Sequence, residues 1–171
     1  MNEAAPIECA QEHVHRGVAL AFIAEEFTPL FHTEQYHALP GEARLRYNQL
    51  HALYFNEQIA FFEQEMLTPA LGALMKIAPA SLAHGLREFH AEEQRHTAMF
   101  RTLNRECARE LYARRDFHFI RLNPVARRLL HALAQKPRTF PLLVWLALMQ
   151  EERSVFFSKR CLSLEYELDP R

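Results

Sequence analysis

The chain has 171 residues, 49% of them hydrophobic and 24% charged, which is enough for one domain with a sizeable core and too short to expect two. Four glycines, and 19 glutamates against 2 aspartates, favour helix interiors over turns and strands, so the predicted class is all-α. The net charge is −1, and Lys and Arg are spread through segments rich in Glu, which excludes the basic stripe of a nucleic-acid binder.

Proline sets the predicted elements. Residues 1–40 read as an N-terminal extension: the first 20 carry Glu3, Glu8, Glu12 and His13 without the apolar core of a signal peptide, and Gly17 to Phe27 reads as a helix that Pro29 interrupts. Pro40-Gly41 marks a turn, after which Glu42 and Ala43 open a helical pattern reaching to about Lys76, kinked or ended at Pro69. Pro79 suits a first helical turn and starts a helix to about Tyr112. Asn123 caps a shorter helix that begins at Pro124 and ends at about 134. The last helix starts near Pro141 and runs to about Leu164. No repeat or long linker divides the chain, so residues 1–171 are expected to form a single helical domain. The longest apolar run, "FPLLVWLALM", has 10 residues, about half of what a membrane-spanning helix needs, and no membrane partner is expected. Cys9, Cys107 and Cys161 are odd in number and lack CxxC spacing, which fits reduced thiols in the cytoplasm.

Three pairs have the spacing E-x-x-H: Glu12/His15, Glu34/His37 and Glu93/His96. Only the third lies on a long apolar stripe, Leu82, Leu86, Phe89, Glu93, His96, Phe100, Leu103, where core residues belong. A carboxylate and an imidazole in such places are costly unless a cation, an arginine or a backbone group meets them. Two other helices carry inward carboxylates. In "YFNEQIAFFEQEMLTPA" the stripe Leu53, Asn56, Ala60, Glu63, Leu67, Ala70, Leu74 turns Glu63 inward, whereas Glu57 shares another face with Leu50, Phe61 and Gln64. In "VWLALMQEERSVFF" either Glu151 or Glu152 falls near a face carrying Trp145, Met149 and Phe156, and one of the two is expected to be buried. A Glu, a Glu-x-x-His 30 residues later and a further Glu on a third helix follow the ligand order of a carboxylate-bridged two-metal site in a four-helix bundle. Carboxylate oxygens with one imidazole per metal suit iron or manganese.

These stretches, with "EEQRHTAMF" and the closing "DPR", resemble the N-terminal part of the ferritin-like di-iron N-oxygenases, the family of the p-aminobenzoate N-oxygenase. The resemblance spans about residue 44 to the end. It implies a ferritin-like helical bundle holding two iron ions, with manganese as the other candidate, and an O2-dependent oxidation of a small aromatic amine. It also implies Glu63, Glu93, His96 and Glu152 as metal ligands, Glu152 rather than Glu151 matching the family's next glutamate. The family adds a further helix with a second E-x-x-H, for which nothing after Glu152 has the spacing, so the bundle is expected to be incomplete at its C-terminal end. The alternative to an enzyme is a non-catalytic helical protein that binds metal or dimerises. An open bundle exposes apolar inner faces, among them those of Ala60, Leu67, Phe100, Leu103, Met149 and Phe156, and a homodimer is expected to cover them.

Overall fold

Residues 41–75 wind as one helical column whose pitch changes in the middle: α2 (Gly41–Phe62), a π turn (Glu63–Leu67) and α3 (Thr68–Met75), preceded by the short α1 (Glu34–His37). The π turn lies just ahead of Pro69, which sits in the first turn of α3. Pro69 has no N–H for the carbonyl of Glu65, and its ring crowds that carbonyl, so the preceding turn widens to i→i+5 bonding, with the Thr68 N–H donating to the Glu63 carbonyl. The disturbance expected at Pro69 is therefore placed one turn earlier, around Glu63.

The computed structural model describes residues 20–136, 138, 142–164 and 168–170. Beyond α3 come α4 (Ala80–Cys107), α5 (Arg109–Tyr112), α6 (Pro124–Ala134) and α7 (Leu142–Leu162). The architecture is an all-α helical bundle; among the described residues its β structure is confined to an isolated bridge between Ala21 and Leu168. None of the described helices is long and apolar enough to cross a membrane.

Two boundaries differ from the sequence reading. The helix expected from Gly17 to Phe27 is not present over residues 20–24, and only Glu25–Phe27 winds, as a single 3-10 turn; residues 17–19 lie outside the described part. The buried Asn48 side chain takes up the backbone there, accepting from Phe22 N at 2.9 Å and donating to Ile23 O at 2.7 Å, which satisfies those groups without a helix. The helix expected to reach Tyr112 breaks at Ala108, whose φ of −147° is not helical. That break turns Tyr112 inward, where its hydroxyl donates to Glu57 Oε1 at 2.7 Å. The predicted shorter helix holds as α6, capped by the Asn123 side chain accepting from Ala126 N at 2.7 Å. The Pro141 start of the last helix lies outside the described residues, and α7 ends at Leu162.

Helices α2 and α4 run antiparallel, since Asn56 meets Asn104 at 2.9 Å and Glu63 meets Thr97 at 3.0 Å. Two apolar clusters gather about the C-terminal part of the column. Leu67 and Leu71 pack with Ala147 of α7, and Ala70 packs with Ala134 of α6 and Leu143 of α7. The π turn thereby touches α4, α6 and α7 at once, and Glu63 stands at their junction. The N-terminal segment fastens the far end of α7: Phe27 stacks on Phe157 with centroids 4.7 Å apart, Arg160 Nε donates to Glu26 Oε1 at 2.6 Å, and Asp169 N donates to Ala21 O at 2.8 Å.

Candidate metal centre

Glu63 comes from the π turn, and Glu93 and His96 from one face of α4. Each offers a donor atom, and the three donors lie within 4.8 Å of one another. Donors sharing one first-row ion sit within about 4 Å of each other, so a small side-chain rotation closes this set. Glu93 is 1% exposed and Glu63 6%. The His96 ring is 41% exposed, with Nδ1 3.9 Å from Glu63 Oε1 and Nε2 3.9 Å from Glu92 Oε1. Thr97 Oγ1 donates to Glu63 Oε2 at 3.0 Å. Both carboxylate oxygens of Glu93 are buried without a hydrogen-bond partner.

A buried carboxyl whose one available donor is another carboxyl is among the costliest groups a core can hold. Its environment shows in the protonation of the pair. Burial, opposed in part by the Thr97 bond and reinforced by Glu93 and Glu151, pushes the Glu63 carboxyl up to about 8. Burial, followed by Glu151 and Glu92 and opposed by a hydrogen bond from the Glu63 carboxyl when that group is protonated, pushes Glu93 up to about 7. Carboxyls raised this far by burial, and further by neighbouring carboxylates, are groups whose charge a cation would neutralise.

The three side chains line a pocket of about 210 Å³ together with Phe55, Phe62, Phe100 and, from α7, Glu151 and Ser154. On α7, Leu143 and Ala147 are buried, at 1% and 8% exposed, and the same side of the helix continues through Glu151, Ser154 and Ser158 along the open rim of the pocket. Glu152 is rotated by about 100° from that face. The carboxylate on the pocket is therefore Glu151, one position before the Glu152 that the family resemblance implies. Both residues are exposed, and neither is the buried carboxylate expected on α7. The apolar residues taken to share their face point away from the core: Trp145 is 63%, Met149 66% and Phe156 67% exposed.

Among the other candidates, Glu57 is fully buried but already satisfied. It accepts from Tyr112 Oη at 2.7 Å and from the backbone N–H groups of His118, Phe119 and Ile120 at 2.6, 2.9 and 2.9 Å. That leaves Glu63, not Glu57, as the carboxylate of this column that faces the pocket. Glu34 and His37 lie on the short α1 with exposed side chains, and Glu12 and His15 fall outside the described residues. The sequence reading missed Thr97, although it stands four residues after Glu93 on the same stripe and is 7% exposed. Comparison with known proteins finds no matching family model, no matching curated protein and no matching solved structure.

Proposed function

We propose that this chain binds a transition-metal ion, iron or manganese, through Glu63, Glu93 and His96, with Glu151 approaching from α7. The observation that carries the reading is the unpartnered, 1% exposed carboxylate of Glu93 beside a second buried carboxylate and an imidazole. Two hard oxygens and one nitrogen suit iron or manganese better than the soft sites built from cysteine. By the resemblance of its motifs to the di-iron N-oxygenases, the activity we assign is the O2-dependent oxidation of a small aromatic amine. The metal would supply the one-electron chemistry with O2. The chain's own residues would do the rest: Glu63 and Glu93 hold the ion's charge out of water, and Phe55, Phe62 and Phe100 give an aromatic substrate an apolar wall.

A second reading is favoured by the donor count. The one group of metal-ligand geometry among the described residues contains a single histidine, half of what a paired site uses. That reading is a metal-binding helical protein without turnover.

Metal content after expression in iron-supplemented medium tests the binding step. The expected result is iron or manganese that Glu93→Gln or His96→Ala removes while Glu34→Ala and His37→Ala leave it in place. Folded protein that takes up neither metal would overturn both readings. Incubation of the loaded protein with an aryl amine, O2 and a reductant separates them: oxidised amine supports the oxygenase, and metal uptake without product supports the binding protein.

A further inference from the structure

The geometry points to Thr97 as a positioning residue that fixes the rotation of the Glu63 carboxylate, an assignment that rests on the metal-binding reading above. A hydroxyl on a helical threonine ordinarily returns to its own helix and donates to the carbonyl four residues earlier. Thr102, one turn further along the same helix, does this, with Oγ1 donating to Ala98 O at 3.0 Å. Thr97 instead reaches across to the π turn and donates to Glu63 Oε2 at 3.0 Å, in a buried bond between α4 and the column opposite. One oxygen of Glu63 is thus engaged, and the other, Oε1, is left facing His96 Nδ1 at 3.9 Å.

The backbone that carries Glu63 is held separately. Glu65, two residues on in the same π turn and 4% exposed, points to the opposite side, where Arg127 of α6 grips it with Nε to Oε2 at 2.7 Å and Nη2 to Oε1 at 2.5 Å. Gln64 between them is engaged by Arg101. The turn is therefore anchored on α6 and α4, and what remains free is the torsion of the Glu63 side chain about its own bonds. Thr97 removes that freedom. Contacts that orient a ligand in this way are worth roughly 10–100-fold in metal affinity.

The test is a Mn(II) titration of the full chain by calorimetry, paired with the visible spectrum of the Co(II)-loaded protein, for the wild type, Thr97→Val, Thr97→Ser and Glu93→Gln. Valine keeps the shape and removes the hydroxyl; serine keeps the hydroxyl and removes a methyl. Thr97→Val is expected to weaken Mn(II) binding roughly 10–100-fold and to change the Co(II) spectrum, with Thr97→Ser returning both towards wild type. Circular dichroism establishes whether the valine variant is folded, and Thr97→Ala takes its place if it is not. Wild-type affinity and spectrum in Thr97→Val, or a serine variant as impaired as valine, would overturn the assignment and leave Thr97 a packing residue. If the wild type binds neither Mn(II) nor Co(II), the metal reading itself fails, and the two failures are told apart by whether Glu93→Gln has any binding to lose.

Discussion

At the scale of single residues the site is a pair of carboxyls that prefer a proton to a charge. In the unfolded chain their ordinary value is 4.5, whereas in the folded chain Glu63 is raised to about 8 and Glu93 to about 7. The folded state therefore binds protons more tightly. The resulting stabilisation is fully present below about pH 4.5 and is lost as pH rises through 7 to 8. Chelator-treated protein should show a melting temperature that falls from pH 5 to pH 8 because of these groups, and Glu93→Gln should flatten that slope. Metal competes for the same oxygens, so Mn(II) affinity should rise over the same range in a calorimetric series. Both residues were legible in the sequence because helical periodicity turns Glu63 and Glu93 inward. The choice of Glu151 over Glu152 was not: α7 is apolar over much of its surface, and a stripe argument has no clear polar face against which to set the rotation.

At the scale of elements the bundle is organised by buried polar side chains that tie one segment to another. Glu57 is the strongest case, since three successive backbone N–H groups of the loop after α5 and the Tyr112 hydroxyl converge on one carboxylate. Glu57→Ala leaves those donors buried and unmet, and we expect a loss of about 3 kcal/mol in chemical denaturation. The damage should stay local: amides of His118, Phe119 and Ile120 should lose hydrogen-exchange protection while metal binding persists. The sequence placed Glu57 on a face apart from the site but had no means of naming its partners, which lie 55 to 63 residues away. The long helices were legible from proline and from spacing. The π turn was not, because the widening that Pro69 imposes falls on residues that read individually as good helix formers.

At the scale of the whole molecule, α7 sets a hydrophobic face against solvent. Leu148 and Val155 are 52% and 53% exposed, and they continue the outward face of Trp145, Met149 and Phe156. The expectation that Ala60 and Leu67 share an open face is not met, since they are 2% and 5% exposed. An uncovered patch larger than a few hundred Å² is uncommon on a soluble monomer. Glu152 and Lys159 are the charges that interrupt this stripe, seven residues apart and opposite in sign, so two copies of α7 packed antiparallel would bring each glutamate to the other's lysine. We expect a homodimer by light scattering, weakened about tenfold or more by Glu152→Lys alone and restored by adding Lys159→Glu. A monomer at micromolar concentration would refute it.

The way α7 is fastened also sets an order of assembly. The bond from Thr97 to Glu63 joins residues 34 apart, across a hairpin of two helices that meet soon after both are made. The clasp between Arg160 and Glu26 joins residues 134 apart. Closing so long a loop costs more entropy, and contacts of that separation form slowly. Glu63, Glu93 and His96 would thus converge before α7 docks, and Glu151 would reach the pocket as one of the last side chains to arrive. A metal ion present during synthesis would then meet a half-built, water-open cradle, and α7 would close over one side of it, leaving the His96 edge open to solvent.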